Sequence, residues 1–334
     1  MAGWNGEDAV EGAFSGLPEA FSNLGEVYVR DIRPLLMERE YERLAAVEKG
    51  NRGAKLGLLF GGLAVVGAVA ATMMRIPILF LVVPPVLIGL GVYNYYMKDL
   101  RALGQDTKTL IVSAVTQQFG IGFTPHPSRP GAIDRYRALS LVPKYDREEF
   151  EDLLTGQHGN ARFELFEARL ERRRSDSKGR TRYEKVFGGQ CLRMEFGKRF
   201  FGRTLITRDA GFFRRFGGGK GMKRAALEDP HFEKIFDVYT TDQVESRFLL
   251  TPDFMQKLVD LEETFHGGKL KCCFSEGEVL VTVQGGDLFA PASMKKPLDD
   301  PFLVRELIDD LVAVFNLMDS ITDGRNREEE ERGN

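Results

Sequence analysis

The sequence predicts an α+β protein: a two-helix transmembrane hairpin followed by a cytosolic domain of antiparallel β-hairpins and packed helices. Three observations predict it. A run of 42 residues, Leu56 to Met97, carries a single charge, Arg75. Behind that run, segments of alternating hydrophobicity come in pairs separated by turn residues. Two later stretches begin at Thr251-Pro252 and Asp300-Pro301 and place apolar residues at helical spacing. With 334 residues, enough chain follows the apolar run to bury a sizeable core.

The apolar run has to fold back. A continuous helix of that length would extend about 63 Å, twice the roughly 30 Å hydrocarbon thickness of a bilayer. Arg75-Ile76-Pro77 is the natural turn, because a charge and a proline there leave spans of Leu56–Met74 and Ile78–Met97. Turning at Pro84-Pro85 would bury Arg75 mid-span and leave too little chain for the return. The two prolines then fall inside the second span, where each removes a backbone donor and a kink is expected. Both spans are apolar all round rather than striped, unlike a core helix of a soluble protein. The run also starts too far from Met1 to be a signal peptide.

The flanks set the expected orientation. Arg43, Lys49, Arg52 and Lys55 precede the first span, and Lys98, Arg101 and Lys108 follow the second, against Arg75 alone in the turn. By the positive-inside rule both ends, and with them the main domain, face the cytoplasm of a bacterial inner membrane. Tyr93, Tyr95 and Tyr96 would anchor that same interface. Gly53, Gly57 and Gly61 give the first span a small-residue face for close packing, against the second span or against another copy.

The remaining segments follow in order. Residues 1–20 are acidic and glycine-rich and predict disorder; 21–55 predict a cytosolic helical stalk interrupted at Pro34; 98–324 form the cytosolic domain; 325–334 are a charged, disordered tail. Within the domain Thr107–Phe119 reads as a helix and Glu149–Leu154 as a short one. Ala161–Leu170 and Tyr183–Phe196 read as a long β-hairpin with a bulge at Gly188-Gly189. Thr204–Thr207 reads as a third strand. A helix follows Thr251, with Phe254, Leu258, Leu261 and Phe265 on its apolar face and Gly267 at its end. Leu270–Phe274 and Val279–Val283 form a second hairpin. The last helix carries Val304, Ile308, Leu311, Phe315 and Met318.

A family resemblance rests on particular strings: Pro143-Lys144-Tyr145-Asp146, Ser175 to Arg180, Glu228 to Lys234, Val238 to Glu245, and Leu249-Leu250-Thr251-Pro252. With the stalk and hairpin ahead of them, they make residues 25 to 320 resemble the bacterial family catalogued as domain of unknown function 3137, sometimes labelled galanin-like. The resemblance implies a membrane-anchored cytoplasmic domain, in a family similar in gene context to partners of LemA-type membrane proteins. It assigns no functional residue.

Little in the sequence points to chemistry. His126, His158, His231 and His266 have no metal-binding spacing, and no cofactor is implied. Gly217-Gly218-Gly219-Lys220-Gly221 lacks the Ser or Thr after its lysine that a phosphate loop needs. Ser175-Asp176-Ser177 is a turn signal with no histidine. Cys191, Cys272 and Cys273 make no CxxC, and the adjacent pair should face opposite ways on a strand. Asp242 and Glu245 could supply carboxylates for acid–base work. Catalytic, cofactor and metal residues are therefore none.

Charge distribution is more informative. Residues 171–224 hold 17 Lys and Arg against 5 Asp and Glu, whereas residues 225–334 hold 11 against 24. The basic block concentrates in Arg172, Arg173, Arg174, Lys178, Arg180 and Arg182 at a hairpin tip, and in Arg214, Arg215 and Lys220 among phenylalanines and glycines. Beside a membrane anchor, such a block suits anionic lipid headgroups or a protein partner. It carries no nucleic-acid recognition string. The predicted role is a membrane-anchored interaction module, a scaffold or regulator. The alternative is an enzyme acting at the inner membrane surface.

Overall fold

The computed structural model describes residues 6–17, 21–75, 77–159, 161–175, 179–195, 201–208, 221–225, 227, 229–264, 269–285, 287, 289 and 293–333. The chain forms two compact units, Met1–Ala114 with Pro291–Leu307, and Val115–Ala290 with Ile308–Asn334.

The first unit is helical. Helix α1 is Gly6–Phe14 and α2 is Leu24–Val27. A π turn, Tyr28–Ile32, leads into α3, Arg33–Met74. Pro34 has no N–H to give to the preceding turn, and the wider turn just ahead of it lets the helix continue across that gap. The interruption read at Pro34 is therefore a local change of pitch. Helix α3 ends at Arg75, which adopts the left-handed conformation (φ 53, ψ 33) and donates its N–H to Ala71 O. Helix α4, Ile78–Gln118, starts three residues later and passes through Pro84 and Pro85. The turn thus falls where charge and proline predicted it.

The helices of the hairpin meet through glycines. A Cβ on Gly53 would lie 2.2 Å from Tyr96 Cβ, one on Gly67 2.7 Å from Leu81 O, and one on Gly89 2.9 Å from Phe60 Cβ. Gly61 has open space instead. The small-residue face is used inside the hairpin, with Gly61 on its free side.

Two expectations about the ends differ. The N-terminal stretch read as disordered holds α1, with Ala13 buried and the Phe14 ring 5.6 Å from the Tyr28 ring. Residues of the charged tail are helical to Gly333, as the end of α9 (Pro301–Gly333). The segment around Pro297 also has its partners on the stalk. Tyr28 donates its hydroxyl to Asp299 O at 2.5 Å, Arg43 donates to Met294 O at 3.0 Å, and Leu298 N–H donates to Glu40 at 3.0 Å. Arg43 is held by Glu40 through two further bonds and is buried. These links lie far apart in sequence, and no local pattern announces them.

The second unit is built on one antiparallel sheet. Its strands are β1 Gly122–Thr124, β2 Arg147–His158, β3 Ala161–Ser175, β4 Thr181–Glu195, β5 Thr204–Thr207, β6 Lys223–Arg224, β7 Asp237–Thr240, β8 Leu270–Ser275 and β9 Glu278–Gln284. They are ordered β1-β2-β3-β4-β9-β8-β5-β7-β6. Consecutive strands pair as hairpins at β2–β3, β3–β4 and β8–β9. The β8–β9 turn takes positive φ at Glu276 (55) and Gly277 (78), the pairing that matches strand twist.

Glu149–Leu154 is part of β2 and not the helix expected. Phe150 and Leu154 are both buried four residues apart, which reads as a helical stripe. A bulge between Glu151 and Leu154, with Asp152 at φ 54, produces that spacing on a strand. Phe150 pairs with Ala168 and Leu154 with Leu165, so the two side chains lie on opposite faces. The bulge in β4 also sits elsewhere than expected, at Lys185–Phe187 opposite Leu170/Glu171. Gly189 has a different duty: at φ 151, a Cβ there would lie 2.0 Å from Val283 O.

Both faces of the sheet carry core. On one, Phe166, Ala168, Leu170, Phe187, Cys191, Leu205, Cys273 and Leu280 pack with Ile133 and Tyr136 of α5 (Ile133–Ala138) and with Leu141 and Val142. On the other, Phe274 meets Phe254 of α8 (Pro252–Thr264) at 5.4 Å, and Phe163 meets Phe315 of α9 at 5.9 Å. Two short helices complete the unit, α6 Pro230–Ile235 and α7 Gln243–Leu249. Their starts are capped by Asp229, accepting from His231 and Phe232 N–H, and by Asp242, accepting from Val244 and Glu245 N–H. Thr251 likewise accepts from Phe254 N–H and Asp300 from Phe302 N–H. Phe265 and Gly267 lie outside the described residues.

Gly189→Ala forces a methyl against the neighbouring strand and should destabilise the sheet by about 3 kcal/mol. Circular dichroism melting of the purified full chain should show the midpoint falling by roughly 6–10 °C. An unchanged midpoint would mean that β4 and β9 do not approach as described.

Candidate functional site

The β3–β4 hairpin outruns its neighbours. Strand β2 pairs with β3 only as far as Glu171, and β9 pairs with β4 only along Gly189–Glu195. Residues Arg172–Ser175 and Thr181–Glu184 therefore have each other as their only ladder partners among the described strands. The result is a two-stranded arm, and its sequence is basic.

The pairing decides which arginines meet. Arg172 stands opposite Glu184, Arg173 opposite Tyr183, Arg174 opposite Arg182, and Ser175 opposite Thr181. Arg174 and Arg182 are like charges in direct opposition, which costs stability unless something relieves it. Glu184 supplies part of that relief, accepting from Arg174 Nε at 3.1 Å. At the arm's root Asp146 accepts the Arg173 backbone N–H at 2.8 Å, and Arg147 lies 5.8 Å from the Tyr183 ring centroid. Arg173, Arg174, Arg180 and Arg182 are exposed and Arg172 is half-buried. Arg174, Arg180, Arg182 and Glu184 line an open concavity of about 560 Å³ at the tip.

Five of the nine singled-out cations, Arg172, Arg173, Arg174, Arg180 and Arg182, are thus gathered on one arm. Lys178, Arg214, Arg215 and Lys220 lie outside the described residues. Sequence reading missed Arg147 and Tyr183. The signal for Tyr183 was its alternation with Arg182 and Glu184 on the return strand, whereas Arg147 joins only through the β2–β3 register. Phe201, beside the second basic stretch, is 98% exposed.

Groups weighed for chemistry are placed in structural roles. Asp242 caps α7. Glu245 accepts the backbone N–H groups of Phe201 and Gly202 at 2.9 and 2.8 Å, fixing the entry to β5. His158 Nε2 is 2.5 Å from Asp319 Oδ1, with its ring edge on Phe315 at 5.0 Å. His126 and His231 are exposed, and His266 lies outside the described residues. No cluster of three His, Cys, Asp or Glu suited to a metal occurs among the described residues.

The cysteines are buried. Cys272 and Cys273 pair with Val281 and Leu280, so they face opposite sides of the sheet as the alternation requires. Burial pushes all three thiols up, Cys273 to about 12 and Cys191 and Cys272 well above the usual value. Since only the thiolate is alkylated, iodoacetamide at pH 8 should leave the native chain unmodified and label three sites once it is denatured. Labelling of the native chain at the rate of a free thiol would place a cysteine at the surface.

No curated protein matches the chain. The crystal structure of the mycobacterial trehalose monomycolate transport factor A, TtfA, matches with a TM-score of 0.32 at 12% identity, covering 63% of this chain and 96% of that one. The strings Glu228 to Lys234, Val238 to Glu245 and Leu249 to Pro252 fall inside the segment that a family model matches; Pro143 to Asp146 and Ser175 to Arg180 lie ahead of it. Over residues 185–322, from the return strand of the arm to the last helix, this chain is similar to the family described as protein of unknown function (DUF3137).

Proposed function

We propose that this chain is a membrane-anchored interaction module, with α3 and α4 crossing a bacterial inner membrane and the sheet-bearing unit in the cytoplasm. The observation that carries the reading is the surface of the hairpin. Leu58, Leu59, Val65 and Met73 on α3, and Leu79, Phe80 and Leu87 on α4, are 60–82% exposed. A core helix of a soluble protein buries such side chains. Here both helices are long and apolar enough to span a bilayer, and little of either is covered by protein. Lipid is the solvent that suits that surface.

The cation count supports the orientation, with a refinement. Arg43 and Lys108 are buried, so they belong to the protein interior. Lys49, Arg52, Lys55, Lys98 and Arg101 remain as flanking charges against Arg75 at the turn. Lys49 bridges the two helices to Asp99 at 2.5 Å and lies 5.7 Å from the Tyr95 ring, which marks the expected interface level.

The arm is the contact element in this reading. Each arginine near an anionic leaflet contributes about 1 kcal/mol, so the arm's cations acting together outweigh the modest cost of ordering a hairpin tip. Exposed Phe201 offers an apolar side chain for the same surface. A LemA-type protein or another membrane protein with an acidic face is the alternative occupant. The role is that of a scaffold or regulator.

Orientation is checked with single cysteines replacing Pro77 and Asp106, both exposed, in a cysteine-free chain. A membrane-impermeant maleimide should label residue 77 in intact cells and residue 106 only after permeabilisation. The opposite pattern would overturn the cytoplasmic placement.

Lipid contact is checked by hydrogen exchange of the full chain in nanodiscs. Exchange across residues 172–184 should slow in discs containing phosphatidylglycerol compared with pure phosphatidylcholine. The difference should fade as salt rises, since the screening length falls from about 10 Å at 0.1 M to about 3 Å at 1 M. Replacing Arg172, Arg173, Arg174, Arg180 and Arg182 by Gln should abolish it. Equal exchange in both discs would remove the lipid contact and leave the anchor standing.

A further inference from the structure

Strand β4 has an unpaired outer edge along the arm. Asp146 donates its N–H to Glu171 O at 2.9 Å and accepts the Arg173 N–H at 2.8 Å, so Glu171 and Arg173 turn their backbone groups away from β4. Alternation then sets the rest. Arg172 with Glu184, and Arg174 with Arg182, exchange backbone hydrogen bonds across the arm. Thr181, Tyr183 and Lys185 therefore send their N–H and C=O groups to the outer side of β4. Strand β9 has left that side by then: its pairing with β4 stops at Gly189, and Gly285 N–H takes Gly188 O at 3.1 Å. No strand among the described residues lies beside Thr181–Lys185, whereas Asp146 already occupies the outer side of β3.

The side chains on this edge are complementary to themselves. Arg182 and Glu184 lie on one face of the arm, and Thr181, Tyr183 and Lys185 on the other. The Arg182 guanidinium stands opposite Arg174 and has no hydrogen bond or ion pair among the described residues. Glu184 accepts from Arg174 and is exposed, so its carboxylate has lone pairs left for a second cation. A second β4 can lie antiparallel beside the first, with Tyr183 opposite Tyr183 on a two-fold axis. Thr181 of each copy then faces Lys185 of the other, and every outward N–H and C=O group meets a partner. On the opposite face, Arg182 of each copy meets Glu184 of the other. A shift of two residues instead sets Arg182 against Arg182 or Glu184 against Glu184. A shift of one turns the backbone groups away. Charge and alternation together leave one register. Its length fits too, because the bulge and β9 close the lane beyond Lys185.

We propose that two copies of this chain join edge to edge through β4, with Tyr183 on the two-fold axis and an Arg182–Glu184 pair on either side of it. The join is isologous, so the same patch serves both copies. The arms are basic overall and repel at a distance. At the seam, however, the nearest opposed charges are of opposite sign, while Arg172, Arg173 and Arg174 lie on β3, about 4.8 Å further away. The pair also gives Arg182 the carboxylate it lacks within its own arm. So short a seam buries less than the roughly 1,200 Å² of a standard interface, so it needs chains already concentrated together. The proposed anchorage in a common membrane supplies that concentration. The join rests on the anchor and not on the lipid contact of the arm.

The test is disulfide trapping of the full chain in the membranes of cells that express it, where recovery in the membrane fraction checks the anchor separately. The three native cysteines are buried, so wild type gives the background. Tyr183→Cys sets two thiol-bearing residues about 5.5 Å apart at Cα, within disulfide reach. Arg173→Cys, one strand further on each copy, sets them roughly 14 Å apart. On mild oxidation Tyr183→Cys should give at least ten times the dimer of Arg173→Cys. Adding Arg182→Glu to Tyr183→Cys should cut the yield at least fivefold, because carboxylates then oppose one another. Adding Glu184→Arg as well should restore it, which damage to the fold would not allow. Arg172→Gln/Arg173→Gln, which weakens the proposed lipid contact, should leave trapping through Tyr183→Cys at least as strong. Equal trapping at positions 183 and 173 reports collision alone and overturns the join. So does the absence of dimer from Tyr183→Cys, an undiminished yield with Arg182→Glu, or a failed rescue by Glu184→Arg. Loss of trapping in Arg172→Gln/Arg173→Gln overturns it in favour of lipid-driven clustering.

Discussion

The close approach of β4 to β9 at Gly189 is the constraint on which the second unit depends. Strand β4 joins the β1–β2–β3 half of the sheet to the half containing β8, β5, β7 and β6, and it does so along only Gly189–Glu195. That pairing keeps Leu192 and Met194 in register with Val281 and Val279 on one face and Cys191 with Thr282 on the other. Slipping by one residue would exchange the faces and expose the core. Because the pairing stops at Gly189, the rest of β4 is free to run on with β3 as an arm. One backbone contact thus fixes the core and the arm.

Charge is used differently on the two sides of this division. Within the sheet, Glu278 accepts from both Arg193 (2.9 Å) and Arg135 (3.2 Å), and Arg135 also reaches Glu276 at 2.8 Å. Arg135, Arg193 and Glu278 are partly buried, Glu276 is exposed, and together they neutralise one another and hold α5 to the β8–β9 turn. On the arm Arg173, Arg174, Arg180 and Arg182 are exposed to solvent. Exposed pairs there contribute little to stability.

The helical unit solves a different problem. Its hairpin has apolar side chains outward and glycines where the two helices meet, so the helices are held by close approach of their backbones. Outside the spans, the stalk gains its fixed points from hydrogen bonds. Glu40 accepts from Arg43 and from Leu298 N–H, and Arg43 pulls Glu40 below the usual carboxylate range. A charged pair bound in this way holds the returning segment near Pro297 without extending the apolar surface.

The sequence by itself determined whatever depends on local rules. Span length and the Arg75-Pro77 turn follow from hydropathy and proline; the helix starts at Thr251 and Asp300 from capping chemistry; the β8–β9 hairpin and the opposed cysteines from strand alternation. The basic block was equally legible, since charge is counted and not folded. Tertiary structure decided what depends on register and on distant partners. Phe150 and Leu154 mimic a helix until a bulge, which leaves no composition signal, makes them a strand. Gly188-Gly189 reads as a bulge until the neighbouring strand shows why only glycine fits. Cys191 meets Thr282, and Tyr28 meets Asp299, across separations that no window of sequence spans. Pairing energy between distant strands, not propensity within them, selected those arrangements.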